Sequence, residues 1–343
     1  MTIRGHSQVP GPLGFSRAGD GGRVPGPAGT SWDGGRLPEP GGSFWDDGGW
    51  APQPIGTLWD KQSNPPASGA ATKAVKTTTM PAPTKDQDSR DVHVVLLPLF
   101  DPKTNAPSFT EVKQAPSIAN CPVAAMLAAL AFTPDGQKII AGIVPPEIPG
   151  DVVTDLSAAG TLSNPPPGNA LKSSRYFAVK LQGGSFEVSD VLYTDDHDRG
   201  WSPFYMRDPG DHTIWAAVIE KALAVKLGSY ESFDDSDIPA EGFWEKVTGV
   251  KPGITEIKPD TPLSTIAKAV SDSVRVPSIA ASKGDPGNDI PLKSGKFLTA
   301  FHGFALLGFQ GDKIRLYDPA EAATLLLSPA EFRDDFKAIL FRR

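Results

Sequence analysis

Hydrophobic and polar residues follow periods typical of secondary structure only from about residue 91 onward. The run "DVHVVLLPLF" begins at Asp91, is rich in Val and Leu, and predicts a strand. Residues 121–131, "CPVAAMLAALA", are apolar almost throughout and predict a buried helix that ends before the turn sequence "TPDG". In "HTIWAAVIEKALAVKLGSY" the apolar residues recur at helical spacing, and Gly228 marks the predicted end of that helix.

The remaining periodic segments add two hairpins and two helices. "RYFAVKL" and "SFEVSDVLY" flank the turn "QGG" and predict one hairpin, and "GFALLGF" and "KIRLYDP" flank "QGD" and predict another. "PLSTIAKAVSDSV" predicts a helix, and "SPAEFRDDF" predicts a last helix with a capping box formed by Ser328 and Glu331. Helices early in the chain and an antiparallel sheet late in the chain predict an α+β fold.

Residues 1–90 have a different composition from the rest of the chain. The stretch "VPGPAGTSWDGGRLPEPGGSFWDDGGWAPQPIGTLWDK" is dominated by Gly and Pro, repeats the pair Trp-Asp, and shows neither a helical nor a strand period. This composition predicts a disordered N-terminal segment. Its tryptophans can dock onto a partner protein or onto a groove of the same chain, or they belong to a solvated linker, and the composition favours the linker.

Charge, apolar content and cysteine usage exclude several classes of protein. A formal charge of −7 over 343 residues points neither to nucleic acid nor to an anionic membrane as the main partner. The longest apolar run is too short to span a bilayer, and the first residues lack the apolar core of a signal peptide. We therefore expect a cytoplasmic protein, or one exported by a route that needs no signal peptide. The single cysteine excludes an intramolecular disulfide and a cysteine-based zinc cluster.

That single cysteine, Cys121, stands at the predicted start of the apolar helix and is followed by Pro122. The backbone dipole and the unpaired N–H groups of a helix N-terminus favour the thiolate form of a thiol. A thiolate nucleophile needs a base, and His302 directly precedes a predicted strand whose hairpin partner ends at Asp318. The hairpin is expected to bring this carboxylate beside the imidazole and to fix its tautomer. A lone cysteine is more often a core residue, so the prediction depends on the ordered set of Cys, His and Asp.

Three segments, taken in order, resemble the protease core of the calpain family. "KQAPSIANCPVAAMLAALA" is similar to the pattern Gln-x-Gly-x-x-Gly-Asp-Cys-Trp, which leads into an Ala/Leu-rich helix in that family. "WAAVIEKALAVKLGSYE" matches Trp-x-x-Leu-Leu-Glu-Lys-Ala-Tyr-Ala-Lys-x-x-Gly-Ser-Tyr-Glu, and a Val-Thr-Gly follows it. "FHGFALLGFQGDKIRLYDPAE" resembles the closing Gly-His-Ala-Tyr…Asn-Pro-Trp-Gly. The order is kept over residues 91–343, and the N-terminal segment has no counterpart.

The resemblance implies a papain-like core of two lobes, a helical lobe at 91–245 and a sheet lobe at 246–343, with the cleft between them. It implies that Cys121 is the nucleophile and that His302 is the general base and then the general acid, while Asp318 stands where the family has its orienting Asn. Gln114 is implied as the side-chain donor of the oxyanion hole, beside the backbone N–H of Cys121. The expected activity is endopeptidase cleavage of a protein or peptide substrate through an acyl-enzyme, without a cofactor.

The chain also departs from the family pattern. Gln114 lies seven residues before the cysteine rather than six, Pro122 replaces a Trp, and Ala320 replaces the Trp that shields the His–Asn pair. A Cys-His-Asp triad also occurs in transglutaminases and in bacterial deamidating toxins. Two alternatives therefore stay open: a glutamine deamidase or transglutaminase-type effector with the same triad, and a degenerate papain-fold binding module.

Calcium is a further open question. The acidic segments "TDD" at 194–196 and "FDDSD" at 233–237 offer oxygen ligands of the kind that calcium prefers. Solvated loops account for both segments equally well, so the sequence predicts no clear cation site.

Overall fold

The computed structural model describes residues 75–85, 91–115, 118–197, 200–235, 238–285, 288–293 and 295–343, which form a mixed α+β fold. The helices of this part are α1 (Cys121–Phe132), α2 (Pro134–Ile143), α3 (Trp215–Leu227), α4 (Ser232–Asp235), α5 (Ala240–Thr248), α6 (Leu263–Asp272) and α7 (Pro329–Asp335). The strands are β1 (Lys76–Thr79), β2 (Asp91–Val94), β3 (Ile148–Asp155), β4 (Ala170–Leu181), β5 (Gly184–Ser189), β6 (Val191–His197), β7 (Gly200–Pro203), β8 (Gly253–Glu256), β9 (Ser278–Ser282), β10 (Asp289–Pro291), β11 (Phe297–Thr299), β12 (Gly303–Gln310), β13 (Lys313–Asp318), β14 (Ala323–Leu327) and β15 (Phe336–Phe341).

Helix α1 is the most buried element next to the site. Every residue from Val123 to Ala131 is buried, because the sequence offers no polar face that could turn towards water. The helix ends at Phe132, as predicted. The turn predicted at "TPDG" is wrong: Thr133 caps a second helix, its side chain accepting a hydrogen bond from the N–H of Gly136, and Pro134 occupies the first position of α2.

A six-stranded antiparallel sheet, in the order β14-β13-β12-β9-β15-β8, forms the scaffold of the second half of the chain. Side chains of β12 alternate between its two faces. Ala305 and Leu307 join the core that contains α1, whereas Phe304 and Leu306 join a second core with residues of α6 and α7. This alternation places helices on both faces of the sheet and seats α1 directly against β12.

The structure confirms the remaining predicted elements. The hairpins β4–β5 and β12–β13 are antiparallel around the predicted turns. Gly228 closes α3 in the left-handed conformation with φ 102°, which glycine adopts without strain. Ser328 and Glu331 form the predicted capping box at the start of α7. No helix in the described part of the chain is both long enough and apolar enough to cross a membrane.

Two predicted boundaries need correction or stay untested. Strand β1 pairs in parallel with β3, so the disordered segment predicted for residues 1–90 ends too late, and residues 1–74 and 86–90 of that segment lie outside the described residues. The range 91–245, predicted as a helical lobe, also contains the sheet β2-β6-β7. Strands β3, β4 and β5 of the same range form a second sheet with β1. The described residues belong to one compact unit, residues 69–343, and the division predicted after residue 245 stays a prediction.

Candidate active site

Cys121 is the first residue of α1, and its half-buried thiol is free of any disulfide. The preceding residue, Asn120, makes no capping hydrogen bond with its side chain, and Pro122 has no N–H of its own. The N–H groups of Val123 and Ala124 donate to the carbonyl of Asn120, at 2.9 and 3.0 Å, so the backbone N–H of Cys121 itself is the donor of this turn that stands next to the sulfur.

His302 and Asp318 lie next to each other, as the hairpin predicted. The Nε2 atom of His302 is 3.0 Å from Oδ1 of Asp318. The same Oδ1 atom accepts a hydrogen bond from the N–H of Ala320 at 2.9 Å, which fixes the carboxylate in place. Both side chains are largely shielded from solvent. This geometry fits the arrangement in which a carboxylate orients an imidazole and sets its tautomer.

The imidazole of His302 also lies beside the thiol of Cys121, and both groups line the same cleft. Because Nε2 is engaged by Asp318, Nδ1 is the ring nitrogen left for the sulfur. Burial by itself lowers the pKa of His302, but hydrogen bonds to Asp318 and Cys121, together with the negative charges of these groups, raise it to about 9. At neutral pH the imidazole is therefore protonated and places a positive charge beside the sulfur of Cys121.

Two backbone contacts hold His302 at this position. Its N–H donates to Oγ of Ser282 at 2.9 Å, and the N–H of Ser282 donates to the carbonyl of His302 at 2.9 Å, so the end of β9 fixes the start of β12. A Cβ atom added to Gly303 would lie 3.2 Å from the carbonyl oxygen of Cys121 and 3.4 Å from Cβ of Ala125. The missing side chain thus permits the close approach of β12 to α1 that brings base and thiol together.

Gln114 lies near this group, although its predicted role stays a prediction. Its backbone N–H donates to the carbonyl of Pro319, the residue after Asp318, at 2.9 Å. Its side-chain Nε2 donates to the carbonyl of Ile118 at 2.8 Å, on the segment that leads to Cys121. Its Oε1 atom is buried and has no hydrogen-bond partner among the described residues. One hydrogen of the amide nitrogen is therefore in use, and one is left for another acceptor.

A cleft of about 450 Å³ opens beside Cys121 and His302. Its walls are mainly apolar and come from the two halves of the chain: Phe233, Ile238, Phe243, Ile279, Ala281 and Ala300. Apart from His302, the charged side chains that line it are Asp234 on α4 and Lys337 on β15. The cleft is therefore suited to an extended ligand with an apolar side chain.

A buried polar pair beside the nucleophile was missed by the sequence analysis. Nδ2 of Asn120 donates to Oε1 of Glu220, and the N–H of Met206 donates to the other carboxylate oxygen at 2.8 Å. Burial raises the pKa of Glu220 to about 8, although both hydrogen bonds lower it. The signal in the sequence is the pair Glu-Lys inside an otherwise apolar helix.

The structure describes the two acidic segments considered for calcium only in part. The described residues contain no group of three or more His, Cys, Asp or Glu side chains that could hold a metal ion. The segment "TDD" lies in β6, and the end of "FDDSD" lies outside the described residues.

Comparisons with known proteins add no relative. No model of a known protein family matches the chain, and no curated protein matches its sequence. The resemblance to the calpain protease core thus stays a prediction from the short motifs.

Proposed function

We propose that the chain is a cysteine peptidase with a papain-like core of two lobes, similar to the protease core of calpains. The observation that carries the proposal is the position of the His302 imidazole, which hydrogen-bonds to Asp318 and lies beside the thiol of Cys121 in the cleft. These three residues come from a helix start, a strand start and a strand end, far apart in the chain. Nucleophile, base and orienting group in mutual contact are the set that covalent catalysis requires.

In the first half of the proposed reaction, the thiolate of Cys121 attacks the carbonyl carbon of a peptide bond and forms a carbon–sulfur bond. The carbonyl π electrons move to the oxygen, which becomes an oxyanion. When this tetrahedral intermediate collapses, the carbon–nitrogen bond breaks and His302 transfers its proton to the leaving amine. The products of this half are the free amine and a thioester on Cys121.

In the second half, water attacks the thioester carbon while His302, now neutral, takes the proton from the water. Collapse of the second intermediate breaks the carbon–sulfur bond and releases a carboxylic acid. The sulfur leaves as thiolate, and His302 is again protonated. Asp318 keeps Nε2 protonated throughout, so that Nδ1 is the atom that exchanges the proton.

The oxyanion requires hydrogen-bond donors close to the sulfur. The backbone N–H of Cys121 has no partner within its own helix, because it belongs to the first turn of α1. The second hydrogen on Nε2 of Gln114 is the side-chain donor that we propose, since the first is bonded to the carbonyl of Ile118. Each such donor contributes on the order of 3 kcal/mol to the stability of the transition state.

Alkylation of the thiol tests this proposal. Iodoacetamide labelling of the full chain is followed by intact mass between about pH 5 and 8 in the wild type, in His302→Ala and in His212→Ala. The imidazole of His212 is exposed and does not line the cleft. We expect fast labelling in the wild type and in His212→Ala, and slow labelling in His302→Ala, together with cleavage of denatured casein. Slow labelling that does not depend on His302 contradicts the proposal and favours the binding module.

One observation favours a second candidate, a glutamine deamidase or transglutaminase-type effector. The group that orients His302 is a carboxylate, Asp318, where the calpain motif has Asn, and Cys-His-Asp triads occur in those enzymes. The acyl-enzyme would then be formed on a glutamine side chain with release of ammonia. Fast labelling of Cys121 with ammonia release from a glutamine-rich protein, and without peptide cleavage, would decide for this candidate.

A further inference from the structure

Phe301, the residue before His302, has a backbone conformation that aromatic residues avoid. Its φ is 52°, in the left-handed region where a bulky side chain is strained. The calpain motif that this segment resembles has glycine at this position, which carries no such strain. The N–H of Phe301 donates to the carbonyl of Lys283 at 2.9 Å, so the end of β9 holds the strained residue as it holds His302.

The side chain of Phe301 does not offset this strain by burial. It is 55 % exposed and lines the cleft that contains Cys121. Backbone strain next to a reactive group, combined with an exposed aromatic ring, is typical of a residue that contacts a ligand.

A cation occupies one face of this ring. Nζ of Lys337 lies 4.1 Å from the centroid of the Phe301 ring, which is a close cation–π contact. Lys337 also lines the cleft, and it forms no ion pair with any residue in the described ranges. The other charged wall residue, Asp234, lies on α4, and one of its carboxylate oxygens accepts the N–H of Ala119 at 2.5 Å. The cleft thus carries an unpaired positive charge on its sheet side and a negative charge on its helical side.

We propose that Phe301 and Lys337 form a specificity element that binds the carboxylate of a glutamate or aspartate side chain in the substrate. This inference rests on the proposed function, and it adds the substrate class. The apolar walls bind an aliphatic residue near the scissile bond, and the acidic residue flanks it. Phe301 holds the ammonium group in place and packs against the methylene groups of the glutamate, while Asp234 repels an acidic side chain from the opposite wall.

The test uses quenched fluorescent peptides with one fixed leucine, in which the flanking residues are glutamate, glutamine or lysine. We expect kcat/KM for the glutamate peptide to exceed that for the glutamine peptide by about threefold to fivefold, the range of an exposed ion pair. Lys337→Glu is expected to invert the order so that the lysine peptide is preferred, and Phe301→Leu to weaken the preference. Lys313→Glu, at the opposite end of the β12–β13 hairpin, is the matched charge control and should keep the wild-type order.

A preference that is the same in Lys337→Glu and in the wild type, or that is lost equally in Lys313→Glu, overturns the inference. Binding of the same peptides to Cys121→Ala, followed by fluorescence anisotropy, separates this failure from failure of the peptidase assignment. If labelling of Cys121 depends on His302 but Lys337→Glu does not change the peptide preference, the peptidase assignment stands and the specificity element is rejected. If Cys121 is unreactive but the protein binds the glutamate peptide selectively and Lys337→Glu abolishes this binding, the peptidase assignment is rejected and the specificity element stands.

Discussion

Nε2 of His302 lies 3.0 Å from Oδ1 of Asp318, between residues that stand sixteen positions apart in the chain. The β12–β13 hairpin creates this proximity, since its two strands run back on each other and end at the same edge. The carboxylate has two effects on the imidazole. It orients the ring, and its negative charge stabilises the protonated form that the proposed mechanism needs for the leaving amine.

These two effects can be separated by replacing Asp318. Asp318→Asn keeps an oxygen that can accept the Nε2–H, but it removes the charge. We expect part of the activity to remain, and the pKa of His302, raised to about 9 in the wild type, to fall by about one unit. The imidazolium is lost as pH rises through this pKa, so the alkaline limb of the kcat/KM profile should move to lower pH.

Asp318→Ala removes both the charge and the orientation, and should lower kcat by about two orders of magnitude. Asp312→Asn, in the turn between β12 and β13, is the control and should leave the profile unchanged. An alkaline limb that stays in place in Asp318→Asn would show that the carboxylate charge does not act on His302.

The approach of β12 to α1 gives a second prediction. In Gly303→Ala the new methyl group would lie 3.2 Å from the carbonyl oxygen of Cys121, so one of the two elements must shift by a few tenths of an ångström. Because general acid–base transfer depends steeply on such distances, we expect kcat to fall about tenfold while the protein stays folded. Steady-state kinetics and circular dichroism measure the two quantities.

Gly142→Ala in α2 is the matched control for Gly303→Ala, because nothing lies within 4 Å of the added Cβ. This variant should be more stable by about 0.5–1 kcal/mol, since alanine favours a helix over glycine, and its kcat should not change. Equal kinetics in both alanine variants would argue against a tight contact between β12 and α1.

The sequence predicted those parts of the fold that depend on local patterns. Helix α3, the two hairpins and the capping box at Ser328 follow from periodicity, turn residues and caps, and these signals act over a few residues. The proximity of His302 and Asp318 was predicted for the same reason, because a short hairpin leaves the chain one way to fold. The pairing of Cys121 with His302 was predicted from the ordered set of Cys, His and Asp and from the resemblance, since no local signal joins the two elements.

Other features could not be predicted because they depend on tertiary packing. Strand β1 lies in a segment of polar and Gly/Pro-rich composition, and it becomes a strand through pairing with β3. "TPDG" has the composition of a turn, but the side chain of Thr133 accepts a hydrogen bond from the N–H of Gly136 and so begins helix α2. The conformation of Phe301 is set by hydrogen bonds from β9, and no residue in its neighbourhood of the sequence indicates a positive φ.

Glu220 provides a prediction about stability. Its carboxyl group is almost fully buried, and burial raises its pKa from 4.5 to about 8. The folded protein therefore holds a proton that the unfolded chain has released, and stability should fall as pH rises from about 4.5 to 8. Glu220→Gln cannot titrate, so its stability relative to the wild type should increase by about 1 kcal/mol per pH unit across this window.

Denaturant unfolding at a series of pH values measures this difference between Glu220→Gln and the wild type. Glu241→Gln, in the first turn of α5 and only half-buried, is the control for the loss of a carboxyl group outside the buried site. A constant difference for Glu220→Gln as well would mean that the buried carboxyl group is ionised over the whole range.

The next residue, Lys221, predicts the opposite dependence. Burial lowers its pKa from 10.5 to about 7, while the charge of Asp190 acts in the other direction. Its Nζ atom donates to the carbonyls of Ser189 and Val191, at 3.1 and 2.5 Å. Above this pKa the folded protein binds fewer protons than the unfolded chain, so Lys221 makes stability rise with pH between about 7 and 10.5.

Lys221→Met should remove this rise. The stability of the variant relative to the wild type is expected to fall by about 1 kcal/mol per pH unit above pH 8, whatever the offset that the lost hydrogen bonds cause at neutral pH. Lys138→Met, whose side chain is 78 % exposed on α2, should show a constant difference in the same denaturant series. The pH range in which Glu220 titrates ends at about 8, and the range of Lys221 begins at about 7. The stability of the double variant should therefore depend less on pH than that of either single variant. If the double variant keeps the same pH dependence of stability as the wild type, groups other than Glu220 and Lys221 control the stability above pH 7.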